Sequence, residues 1–299
     1  MGGLDRAQRA RVLLGYDASE DNEPALAWAA EEARLRGLEL VICHCWHWPY
    51  PAGYVDRDVE SIVRRAGETL LKDAGEKARG LGAAGPVTVR LRPKPVADAL
   101  VAESEEAELI VVGSHERHRL PVGSTALQLP VRAHRPVVVV RRDGRVGRVG
   151  HVRGGVPGRV VAGVDGSPGG HAALGFAVEE AVLRGWEVRV VYGVWEPGAV
   201  DESELPLFGD KERLVRVRTA VLERAVAPWR ERYPEAHVRV AAVLDRPREA
   251  LLEAAEDADL IVVGDRGTGS LAPLLLGSTS SAMLQHAPCT VAVVPSSAP

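Results

Sequence analysis

Aromatic side chains are scarce in this chain of 299 residues, at 4% of the total. That leaves no stacking platform for single-stranded nucleic acid. A strong charge of one sign is also missing: the formal net charge is −4, which supplies no field to draw in nucleic acid or an anionic membrane. There are only three cysteines, Cys43, Cys45 and Cys289. An odd number, with two of them in one apolar run, argues against a disulfide framework and fits reduced thiols in the cytoplasm. No apolar run approaches the roughly 18 residues that a membrane span needs. Residues 1–10 carry no apolar core of a secretory signal,. What remains is the composition of a soluble globular protein, 46% hydrophobic and 26% charged,. The length suits two domains of about 150 residues, each able to bury a sizeable core.

What is present is a repeat. Val12-Leu-Leu-Gly-Tyr16-Asp17-Ala-Ser19 opens one half and Val160-Val-Ala-Gly-Val164-Asp165-Gly-Ser167 the other. Both read as buried strands that end in an acid and hand over to a helix. Pro24 and Pro168 stand where a first-turn proline is tolerated, and Ser167 is a candidate N-cap. Ala/Glu-rich helices over residues 25–36 and 172–184 should end at Gly37 and Gly185 as C-caps. Second strands follow over 38–45 and 187–194, then longer helices over 59–79 and 212–232. Third strands over 87–91 and 237–244 lead through a proline to a short helix. Fourth strands, Leu109-Ile-Val-Val-Gly113 and Leu260-Ile-Val-Val-Gly264, precede a loop, and the halves close on Pro136-Val-Val-Val-Val140 and Thr290-Val-Ala-Val-Val294.

Strand and helix alternate throughout. Each half is therefore expected to be α/β, a doubly wound five-stranded parallel sheet with helices on both faces. The expected domains are residues 8–142 and 158–296, joined by a linker at 143–157 inside a Gly- and Arg-rich stretch without apolar period. The closing strands are edge candidates that need covering.

The loops after the fourth strands differ. The later one reads Gly264-Asp-Arg-Gly267, nine further residues, then Gly277-Ser278-Thr279-Ser280. Glycines let the backbone approach an anion without a Cβ. The helix starting at Gly277 offers free N–H groups and a partial positive charge, with hydroxyls that can add hydrogen bonds. In a doubly wound sheet this place adjoins the end of the first strand. Asp165 is therefore placed for a ribose, an adenine amino group or Mg²⁺, and poorly placed against a phosphate. The pattern is neither a Walker loop nor a Gly-x-Gly-x-x-Gly fingerprint. The earlier copy keeps Gly113 and Gly123-Ser124, but Glu116 replaces the second glycine and the loop is three residues shorter. A carboxylate there repels a triphosphate.

Other clusters read as structural. Cys43-His44-Cys45 with His47 is a strand end rather than a metal site, since His44 faces away from the two thiols. Trp46, Trp48, Tyr50 and Tyr54 read as packing. The acidic run Glu103, Glu105, Glu106 and Glu108 reads as the solvated face of the third helix. Ser278 has no nucleophile elbow and no base fixed beside it.

The chain resembles a tandem universal stress protein. The residues that carry the resemblance are Gly-Val-Asp165-Gly-Ser167, Gly-Tyr-Asp17-Ala-Ser19 and the Gly264/Gly267/Gly277-Ser278 loop. The endings Gln285-His-Ala-Pro-Cys289 and Ala133-His-Arg-Pro136, and the second strands Ile42-Cys-His-Cys-Trp46 and Val190-Val-Tyr-Gly193-Val-Trp, belong to it too. The resemblance implies a strand order 3-2-1-4-5, the adenine nucleotide α-hydrolase-like fold, and ATP binding accompanied by Mg²⁺. Asp165 and the backbone around Gly193 would hold the adenosine, and Gly264, Gly267, Gly277, Ser278, Thr279 and Ser280 the ribose and phosphates. The corresponding first-half positions are Asp17, Gly113, Gly123 and Ser124. Asp245-Arg-Pro247 departs from the family's Gly-x-Pro after the third strand.

The expectation is a cytoplasmic, nucleotide-dependent stress-response regulator holding ATP mainly in its second domain, with at most slow ATPase activity. It would work as a homodimer or as an intramolecular domain pair, without nucleic acid or membrane partners. The alternatives are a nucleotide-independent scaffold of the same fold, and an enzyme of the α-hydrolase type, which would need an added catalytic domain or insertion.

Overall fold

The computed structural model describes residues 11–47, 56–93, 95–114, 124–141, 157–194, 210–267 and 275–296. They form two compact units, divided between residues 141 and 157. Unit 1 runs β1 (Arg11–Gly15), α1 (Glu23–Arg36), β2 (Glu39–Trp46), α2 (Arg57–Gly80), β3 (Val87–Pro93), α3 (Val96–Glu103), β4 (Leu109–Gly113), α4 (Thr125–Arg132) and β5 (Val137–Val140). Its strands are parallel, in the order β3-β2-β1-β4-β5. Unit 2 repeats this with β6 (Arg159–Gly163), α5 (Pro168–Arg184), β7 (Glu187–Gly193), α6 (Lys211–Arg232), β8 (Val238–Val243), α7 (Pro247–Ala255), β9 (Leu260–Gly264), α8 (Ser278–His286) and β10 (Thr290–Val294). Its order is β8-β7-β6-β9-β10, again parallel. The expected winding 3-2-1-4-5 is present in both.

The apolar runs form strands because both faces of each sheet are covered. Val12, Leu13 and Leu14 are fully buried, as are Val160, Val161 and Ala162. In the register, Leu14 lies between Ile42 and Val111, and Ala162 between Val190 and Val262. The first helix of each unit stops at a glycine in the left-handed region, Gly37 at φ 66° and Gly185 at φ 67°, a conformation that costs a residue with a Cβ about 1 kcal/mol or more. Ser167 caps α5, accepting from the Gly170 N–H at 3.0 Å.

The acidic run after α3 departs from expectation. Only Glu103 belongs to the helix; residues 104–106 tighten into a 3₁₀ turn. Glu105 and Glu106 are exposed as expected, but three of the four carboxylates also face arginines on other elements. Glu103 accepts from Arg92 at 2.6 Å, Glu106 pairs with Arg11, and Glu108 lies 3.7 Å from Arg36.

Candidate functional site

In a sheet of this order the winding reverses between the first and fourth strands, and the ligand crevice lies beyond their carboxyl ends. In unit 2 this place is built by the ends of β6 and β9 and the first turns of α5 and α8. Asp165 stands two residues past β6. Its Oδ1 accepts from the Ser167 N–H at 3.0 Å and from the Ser167 hydroxyl at 2.5 Å. The same hydroxyl caps α5, so the carboxylate and the helix start are held as one piece. A Cβ on Gly264, the last residue of β9, would lie 2.5 Å from the Gly169 carbonyl carbon. Strand and helix backbones therefore touch. A Cβ on Gly267 would lie 2.5 Å from Asp165 Oδ2, so the loop backbone passes directly against the carboxylate.

The stem of the loop is tied down on both sides. The Gly277 N–H donates to the Asp265 carbonyl at 2.9 Å. Ser280, which is buried, donates its hydroxyl to the Gly264 carbonyl at 2.6 Å. Asp265 accepts from the Ser296 N–H at 2.9 Å and from Arg266 Nε at 3.1 Å. Residues 268–274 lie outside the described residues. Gly277 is the N-cap of α8 at φ −57° and makes no side-chain cap, so the first-turn N–H groups and the hydroxyls of Ser278 and Thr279 meet at one helix start,. A Cβ on Gly277 would meet nothing closer than 3.5 Å. Backbone packing thus requires glycine at 264, the Asp165 carboxylate crowds 267, and 277 is left unconstrained.

Unit 1 builds the same place differently. Asp17 accepts from the Ser19 N–H at 2.9 Å and from Asn22 Nδ2 at 3.2 Å. The chain enters α1 through a 3₁₀ turn over Glu20–Asn22. Asn22 is buried, donates to the Gly15 carbonyl at 3.2 Å, and brings its Oδ1 within 3.0 Å of a would-be Cβ on Gly113. Its carboxamide thus covers the end of β4. Unit 2 has Gly170 at the same distance from its acid. Beside this, the Tyr16 hydroxyl donates to Glu23 at 2.6 Å, and Lys77 donates to the same carboxylate at 2.8 Å. Burial, then the bond to Glu23, pushes the Tyr16 phenol well above its ordinary value. Burial pulls Glu23 upward, but the bonds from Lys77 and Tyr16 outweigh it and leave Glu23 below its ordinary value.

The universal stress protein family model matches residues 8–141 and 158–295. The chain belongs to the universal stress protein family, with two tandem domains. A universal stress protein of Mycolicibacterium smegmatis is 32% identical over 293 residues, covering 95% of this chain and 96% of that one. Among solved structures, a universal stress protein from Archaeoglobus fulgidus covers 96% of this chain and 97% of that one at 20% identity, with a TM-score of 0.69. A second structure from that organism, a universal stress protein in complex with dAMP, is 31% identical and covers 44% of this chain and 97% of that one, with a TM-score of 0.34.

Within this universal stress protein, the structure brings Asp165, Gly264, Gly267, Gly277 and Ser280 into one crevice, with Ser278 and Thr279 at its α8 side. Gly193 ends β7, the strand beside β6, on the same edge of the sheet as Asp165. A Cβ there would be 2.5 Å from Pro247 Cα, so its bareness seats the first turn of α7 against the end of β7. In unit 1, Asp17 and Gly113 flank Asn22, and Ser124 stands at the N-cap position of α4 without a side-chain cap bond, while Glu116 and Gly123 lie outside the described residues. So do Trp48, Tyr50 and Tyr54. His44 Nδ1 is 2.8 Å from the Tyr16 carbonyl oxygen, a contact that fastens β2 to the turn after β1. Sequence reasoning missed Asn22, Gly169 and Gly170. The signal was available: the fourth and fifth residues after the acid are Asp21-Asn22 in one half and Gly169-Gly170 in the other.

Proposed function

We propose that the unit 2 crevice binds ATP with Mg²⁺ and that the protein is a nucleotide-dependent stress-response regulator of the cytoplasm. Asp165 takes the nucleoside, and the backbone from Gly264 to Gly267 and the α8 start at Gly277, Ser278 and Thr279 take the ribose and phosphates. The observation that carries this reading is the contact between Gly267 and Asp165, which puts an anion-compatible backbone loop and a nucleoside-compatible carboxylate side by side. Ser280 supports the site from behind, since its hydroxyl is committed to Gly264. We read the protein as a binding protein whose hydrolysis is slow at most.

The test is to purify the full chain, denature it and identify any released nucleotide by mass spectrometry. Calorimetry of the stripped protein with ATP-Mg should then find a single site. Two equivalent sites would sink the claim that the first domain, with its Glu116 loop, serves mainly as a structural partner. No heat and no retained nucleotide would favour the rival reading, a scaffold of the same fold that works without nucleotide.

A further inference from the structure

Unit 2 contains a cavity of about 600 Å³ at the opposite end of its sheet from the crevice, where β7 and β8 begin. The size suits a small organic ligand. Its apolar wall comes from Pro157, Trp186 and Val238, and its polar wall from Arg230, His237 and Arg239. The one acid on the lining, Glu187, is closed on Arg159 at 2.5 Å. Arg239 comes only to 4.0 Å of Glu187 and is 81% exposed. Arg230 anchors the wall by donating to the Val238 carbonyl at 2.8 Å. Arg230 is also ion-paired with Glu223, and Glu187 with Arg159, so Arg239 and His237 are the lining cation and imidazole left facing the apolar surface.

The two units act as an internal control. By strand register, Trp186 and Arg239 of unit 2 correspond to Leu38 and Thr88 of unit 1. There Thr88 donates to Glu39, and a Cβ on Gly85 would lie 2.5 Å from the Leu38 carbonyl oxygen. Chain and hydroxyl close that corner. In unit 2 the indole of Trp186 is wedged against Gly158, where a Cβ would lie 2.5 Å from the ring, and its buried Nε1 has no hydrogen-bond partner.

We propose that this cavity is a second ligand site, for a small aromatic carboxylate. Its ring lies against Pro157, Val238 and the edge of Trp186, and its carboxylate pairs with Arg239 and His237. An arginine–carboxylate pair at the mouth of an apolar pocket gives both charge and direction. The site is independent of the nucleotide reading, because it shares no residue with the crevice.

The test uses the full chain and benzoate as the probe, followed by calorimetry and by ligand-observed NMR. Benzoate should bind saturably, with affinity unchanged by saturating ATP-Mg. Arg239→Thr, which installs the unit 1 residue on an exposed strand position, should weaken benzoate about tenfold or more, while the thermal midpoint and ATP affinity stay unchanged. His237→Ala should weaken it less. Inorganic phosphate should bind far more weakly than benzoate. Absence of saturable binding, indifference to Arg239→Thr, competition by ATP, or equal affinity for inorganic phosphate would each overturn the proposal.

Discussion

The entrance to the first helix is an asparagine in unit 1 and a pair of glycines in unit 2, and the fourth strand's end differs to match. In unit 2 the backbone of Gly169 meets the backbone of Gly264, and Gly267 passes against Asp165. In unit 1 the Asn22 carboxamide covers Gly113 and holds Asp17. One duplicated fold has thus given the same corner two solutions, backbone against backbone or side chain over backbone. The divergence is not confined to the loop with Glu116. It reaches the first strand's end, where a ligand would meet the carboxylate.

The largest effect expected concerns the glycine that packing leaves free. Gly277→Glu places a carboxylate at the α8 start without an internal clash, since the nearest atoms lie at 3.5 Å and beyond. ATP affinity should fall on the order of a hundredfold or more, the scale of like charges brought together, with the unfolding midpoint unchanged. Unchanged affinity by calorimetry would place the phosphates elsewhere.

The next effect separates the two corners by stability. Gly264→Ala drives a Cβ to 2.5 Å of backbone that cannot swing away, whereas Gly113→Ala meets nothing closer than the Asn22 side chain at 3.0 Å and its Cα at 3.2 Å. Urea unfolding of the full chain should show a loss of about 1–3 kcal/mol for the first and clearly less for the second. Equal losses would mean that the corners are equally rigid. Smaller still is Ser280→Ala. It removes a buried hydrogen bond of 2.6 Å to Gly264, worth about 0.5–1.5 kcal/mol. Unit 1 carries Ala126 at the matching position and lacks this tie. A stability loss with nearly unchanged ATP affinity is expected, and a loss of affinity alone would make Ser280 a ligand contact rather than a support.

How much of this was legible in the sequence depends on how local the cause is. The strands, their order and the caps at Gly37, Gly185 and Ser167 follow from apolar runs, glycines and a serine that act within a few residues of themselves. Asn22 and Gly169 do not. Their roles arise because β4 and β9, about 90 residues downstream of them in each half, return beside the first helix start. Gly193 also has a packing reason that is not local, because Pro247, which needs the space, lies on another element. The arginine partners of the acidic run after α3 were illegible for the same reason, since Arg11, Arg36 and Arg92 reach it from other elements.

The smallest effect is a titration that only unit 1 can show. Tyr16 and Val164 occupy matching positions after β1 and β6. Tyr16 is buried, and its phenol, hydrogen-bonded to Glu23, has its pKa raised above the ordinary 10.0. The folded state therefore favours the protonated phenol more than the unfolded chain does. That contribution is fully present below pH 10, and it is lost as pH rises from there toward the folded value, because the unfolded chain releases its proton first. Denaturation midpoints measured from pH 8 to 11 should fall more steeply for the native chain than for Tyr16→Phe, which keeps the ring and removes the proton. Parallel curves would show that the alkaline sensitivity lies outside unit 1's corner, and that the corner built on Asn22 and Tyr16 carries no pH dependence that the glycine corner lacks.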